Sequence, residues 1–76
     1  MDEDIEEVNQ RRLISLCEKR GYGPPHYDIS SVGHKHTAVV SVEFRSFRGV
    51  TCSLLCNAKE SAAGRALKFY NGQRKG

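Results

Sequence analysis

The chain has 76 residues, room for one domain around one small core. Its three cysteines are an odd number, which excludes a complete disulfide framework, and no apolar run approaches the ~20 residues of a membrane-spanning helix. The net charge of +3 conceals a division: Asp2, Glu3, Asp4, Glu6 and Glu7 crowd the start, while from Val8 onward twelve Lys and Arg stand against four acidic residues, a net charge of +8.

A basic body behind an acidic leader suits a polyanionic partner, and a solvated basic surface accounts for the same composition. The leader is acidic where a secretory signal is basic, and free cysteines suit a reducing compartment. The expected location is therefore intracellular, nuclear or cytoplasmic, without membrane contact. No Ser-His-Asp order, paired carboxylate or glycine-rich phosphate loop stands out, so no catalysis and no cofactor are expected of this chain alone.

Residues 1–8 read as an acidic linker, 9–70 as the domain and 71–76 as a basic flexible tail. A first helix is predicted over residues 9–20, with Asn9 as its N-cap and an apolar stripe of Leu13, Leu16 and Cys17. Lys19 and Arg20 complement the macrodipole at its end, Gly21 suits the C′ position, and Pro24 and Pro25 forbid continuation. A strand is predicted over residues 26–32 and a turn over 33–35. A second strand over residues 37–44 would place Ala38, Val40, Val42 and Phe44 on one face. Residues 45–49 read as a loop. A third strand over residues 50–56 would turn Val50, Cys52, Leu54 and Cys56 inward, and Asn57 would cap a closing helix. Phe47, between Arg45 and Arg48, would either dock a partner or a base or fold back onto the sheet edge.

In the closing helix Ala58, Ala62, Ala63, Ala66 and Leu67, followed by Phe69 and Tyr70, make a face of small side chains that can lie close against a sheet. The predicted fold class is thus α+β, in the order α-β-β-β-α, with two helices packed on one face of a three-stranded antiparallel sheet.

The run Ala58, Lys59, Ala62, Ala63, Ala66, Leu67 resembles the Ala-Lys-x-x-Ala-Ala-x-x-Ala-Leu pattern that closes the double-stranded RNA-binding domain. Residues 13–21 are similar to the family's first-helix ending, Leu-Asn-Glu-Leu-Cys-Gln-Lys-x-Gly. Pro25, His26 and Tyr27 match its Pro-x-Tyr, and residues 33–36 resemble the Gly-Pro-x-His of the loop after the first strand. The resemblance spans about residues 9–70 and implies a non-catalytic module of a larger RNA-processing protein, such as a helicase or ribonuclease. Such a module binds double-stranded RNA through shape and backbone. The alternative is a degenerate member that binds protein or dimerises, through a helix face or the exposed sheet.

Carried over residue by residue, the resemblance implies RNA contact from Ser15 on the first helix, from His36 in the loop and from Lys59. His34 and Lys35 beside the loop histidine add polar reach, and the charge of Arg12 at the front of the first helix adds a further candidate contact. The family's helix pair falls on Ile14 and Ser15, so its glutamate is missing. Its lysine pair falls on Leu55 and Cys56, so Lys59 stands alone and binding is expected to be weak. The span between Tyr27 and Ala58 is about four residues short, which would remove the first turn of the closing helix. Arg11, Arg65 and Lys68 add charge, but six residues separate Lys59 from Arg65, so they do not share one helix face. His34, His36, Cys52 and Cys56 match no common zinc spacing, and both cysteines fall on the inward face of the predicted strand. A core role is therefore expected for the cysteines, and no metal.

Overall fold

The structure is a computed structural model that describes residues 7–72. Its elements follow the order α1 (Val8–Arg20), β1 (His26–Val32), β2 (Lys35–Val42), β3 (Arg45–Arg48) and α2 (Leu55–Gly72). The strands form one antiparallel sheet in the order β1-β2-β3, so the predicted α+β fold class is the observed one. Most of residues 1–8 and 71–76 lie outside the described residues, although Val8 opens α1 and Asn71 and Gly72 belong to α2.

The α1 stop matches its sequence signals. The Gly21 amide donates to the Glu18 carbonyl and the Tyr22 amide to the Cys17 carbonyl, the paired bonds of a Schellman cap. Its start is different. Asn9 lies inside the helix, and Glu7 occupies the cap position without a side-chain cap bond. The cap comes from α2: the Glu60 carboxylate accepts the amides of Asn9 (2.9 Å) and Gln10 (3.0 Å) and the Gln10 side-chain amide (3.1 Å). A carboxylate at a helix N-terminus satisfies orphan donors and meets the positive end of the macrodipole. At the other end the Arg20 guanidinium donates to the Tyr70 carbonyl at 3.4 Å, so α1 and α2 run in the same direction.

In the sheet, Tyr27 lies opposite Val40, Ile29 opposite Ala38 and Ser31 opposite His36, all on the face that α2 covers. Ala38, Val40 and Val42 are fully buried there against Ala58, Ala62, Ala63 and Ala66. The core includes Leu13 and Cys17 of α1, while Leu16 packs at its edge. The opposite face is polar, with Ser41 bonded to Ser46 and Thr37 to Thr51 through their hydroxyls.

The second half of the sheet departs from expectation. Phe44 is 98% exposed rather than buried with Val42, because Glu43 and Phe44 form a two-residue turn and β2 ends at Val42. The stretch expected to be a loop is β3, and Phe47 folds inward against Phe69 (5.4 Å) and Tyr70 (5.7 Å). The stretch expected to be the third strand keeps only one isolated bridge, Cys52 to His36. Val50, Leu54 and Cys56 are exposed instead of inward, and Cys52 is half-buried. Gly49 explains the detour: its amide extends the ladder to the Ala38 carbonyl, and its backbone presses so closely on α2 that a Cβ would sit 2.6 Å from the Ala62 nitrogen. A chain held that tightly passes under the helix and rises into α2 at Leu55, so the closing helix keeps its first turn and Asn57 lies within it.

Candidate nucleic-acid interface

Six residues were singled out by sequence, and the fold distributes them over three places. Arg12 and Ser15 share an open groove of about 590 Å3 along α1, together with Arg11, Leu16, Lys19, Arg20 and the α2 residues Leu67 and Asn71. The cause is helical spacing: Ser15 and Leu16 come three and four residues after Arg12, and Lys19 comes four and three after them, so they line one flank beside the buried Leu13 and Cys17. From Arg12 to Lys19 is about 11 Å along the axis. Ile14, the other helix position implied by the resemblance, does not line the groove.

The second place is the β1–β2 hairpin. Its two turn residues are Gly33 and His34, and Gly33 has φ 62°, a conformation that suits the first position of a two-residue hairpin loop. His34 and Lys35 are exposed, Lys35 as the first residue of β2. His36 was expected in the loop but lies one residue inside β2. It is half-buried, with its Nδ1 2.7 Å from the Ser31 hydroxyl and its backbone paired to Cys52. The tight turn, not a longer loop, places it there.

Lys59 is the third place. It is half-buried on the first turns of α2, with its Nζ 5.8 Å from the Tyr27 ring centroid. The Tyr27 hydroxyl oxygen beneath is buried without a hydrogen-bond partner. Burial, reinforced by the charge of Glu60, pushes that phenol up to about 12. Around the start of α2, where the resemblance would place a lysine pair, stand the exposed Val50, Leu54 and Leu55.

Sequence reasoning missed Lys19 and Arg20 as members of a basic surface, having assigned them only to the helix end. Arg20 also stacks at 5.8 Å from the Tyr70 ring centroid, which holds one end of the groove in shape. The i, i+7 spacing of Arg12 and Lys19 was the available signal. Arg65 and Lys68 are exposed on α2 outside the groove. Among the described residues no three His, Cys, Asp or Glu side chains group so as to hold a metal, and no helix is long and apolar enough to cross a membrane. No family model matches the chain, and no curated protein matches it significantly.

Proposed function

We propose that this chain is a divergent double-stranded RNA-binding module, a non-catalytic part of an RNA-processing protein that holds duplex RNA by shape and backbone. The observation that carries the reading is the groove along α1, where Arg11, Arg12, Lys19 and Arg20 surround Ser15 on an α-β-β-β-α scaffold. Cations spaced along a rigid helix neutralise phosphates without reading sequence, and a serine hydroxyl can pair with a ribose 2′-hydroxyl. His34 and Lys35 on the β1–β2 turn, His36 behind them and Lys59 on α2 supply further contacts. The compartment is intracellular in this reading, since the ligand is.

The test is titration with a duplex RNA of about 20 base pairs, and with DNA of the same sequence, at low and physiological salt. Weak binding to RNA is expected, with a log-log salt slope of about −4 from the four groove cations and about −5 with Lys35 and Lys59 included. Arg12→Ala with Lys19→Ala should flatten that slope by about two while leaving the melting temperature unchanged. Equal binding to DNA and RNA, or none at low salt, would refute the reading. The second reading, a module that docks on protein, is favoured by one observation: Val50, Leu54 and Leu55 are exposed together in sequence where phosphate-binding lysines would be needed.

A further inference from the structure

The β2–β3 turn joins two features that the RNA reading leaves unused. Phe44 projects from its tip with 98% of its surface exposed, while the matching hairpin turn at Gly33 presents only glycine and histidine. Glu43, at the first turn position, has φ 58°, a conformation unfavourable for a non-glycine residue. The turn is therefore held in a form that displays an aromatic side chain to solvent. Beside it lies a cleft of about 540 Å3 lined by Tyr22, Glu43, Phe44, Arg45 and Tyr70. The cleft floor is firm: Tyr22 and Tyr70 pack with ring centroids 5.6 Å apart, the Tyr70 hydroxyl donates to the Val42 carbonyl, and Arg45 stacks 4.8 Å from the Phe69 ring centroid.

We infer that this turn is a self-association surface whose partner is a second copy of the chain, with Phe44 of each copy seated in the other copy's Tyr22–Tyr70 cleft. Knob and hole lie side by side on one molecule, the arrangement a two-fold axis requires for each to fill the other. The flanking charges fit the same symmetry. Glu43 and Arg45 bracket Phe44 with opposite signs, so a two-fold pairing sets Glu43 of each copy against Arg45 of the other. An aromatic anchor buries about 150–250 Å2, and two of them with a narrow rim fall short of the ~1,200 Å2 of stable complexes. The dimer is accordingly weak and concentration-dependent. It does not rest on the RNA reading, because β2 separates this turn from the β1–β2 turn and no residue lines both the groove and this cleft.

Sedimentation of the full chain between about 10 μM and about 1 mM tests it. The average mass should rise from 8.5 kDa toward twice that value. Phe44→Ala should stay monomeric at every concentration with an unchanged melting temperature, since Phe44 is 98% exposed and buries almost nothing in its own fold. Glu43→Arg and Arg45→Glu should each be monomeric alone and should associate when mixed, because the mixture restores both charge pairs. A constant monomer mass for the native chain, association of Phe44→Ala at native strength, or a mixture that stays monomeric would each overturn the proposal. Should Arg45→Glu fail to fold, Phe44→Ala still decides between the outcomes.

Discussion

Helix α2 has two flanks built on opposite principles. Toward the sheet it presents Ala58, Ala62 and Ala66, all fully buried, to Gly49 and the valines of β2. The contact there is backbone against backbone, with no room for an added methyl. Toward α1 it presents Glu60, Gly64 and Leu67, and the junction is made by hydrogen bonds from Asn9 and Gln10, by the Arg20–Tyr70 contact, and by an open groove. A close-packed flank fixes the fold and tolerates little; a bonded flank with a groove leaves a rigid helix whose outer side chains are free to change. The cations that carry the proposed function sit on the second kind.

The largest expected effect attacks the packed flank where it is tightest. In Gly49→Ala the new Cβ meets the Ala62 nitrogen at 2.6 Å and the Ala58 carbonyl oxygen at 3.0 Å, both helix backbone atoms that cannot rotate away. Destabilisation of about 3 kcal/mol or more is expected in urea unfolding. Ala62→Leu presses on the same contact from the other side and should cost about 1–3 kcal/mol. Native stability in either variant would show that α2 can lift from the sheet.

The bonded flank should yield less. Glu60→Ala removes the carboxylate that accepts the Asn9 and Gln10 amides, and a lost cap of this kind costs about 1–2 kcal/mol. The loss should fall on α1, with faster amide exchange at Asn9 and Gln10 than in α2. Uniform exchange through both helices would mean that α1 has no stability separate from the core.

Much of this architecture is legible in the chain because its signals are local. The Pro24–Pro25 stop, the Gly33 turn and the alanine spacing of α2 each act within a few residues, and each appears where expected. The misreadings cluster between Glu43 and Cys56, where long-range contacts decide. A turn that uses Glu43 at φ 58° carries no glycine signature, so the second strand reads as ending two residues beyond Val42 and β3 reads as loop. The alternation of Val50, Cys52, Leu54 and Cys56 then imitated a strand. What defeats it is Gly49 pinned under α2 by Ala58, Ser61 and Ala62, contacts that lie beyond the reach of a local pattern. At the site, helix spacing placed Arg12 and Ser15 together, whereas the position of His36 depended on a turn one residue tighter than assumed. The cap of α1 by Glu60 crosses about fifty residues, and no local pattern announces it.

The smallest effect sharpens the comparison at the place where the two flanks meet, beneath Lys59. The Tyr27 oxygen is buried without a partner, so Tyr27→Phe removes a desolvated hydroxyl and loses no hydrogen bond. The variant should be more stable than the native chain by about 1 kcal/mol at neutral pH. A second signature comes from titration. Burial, with Glu60 adding to it, raises the phenol from 10.0 to about 12 in the fold. Below its unfolded value the phenol is protonated in both states and its contribution to stability is whole. Above that value the unfolded chain gives up the proton first, so the native protein loses stability progressively as pH climbs toward the folded value. The phenylalanine variant has no such proton to lose, while the raised Tyr70 phenol is common to both chains and cancels in the difference. The advantage of Tyr27→Phe should therefore widen above about pH 10 in urea unfolding. A gap that stays constant with pH would mean that water reaches the Tyr27 oxygen, and that the junction between sheet, α2 and α1 is looser than either flank alone.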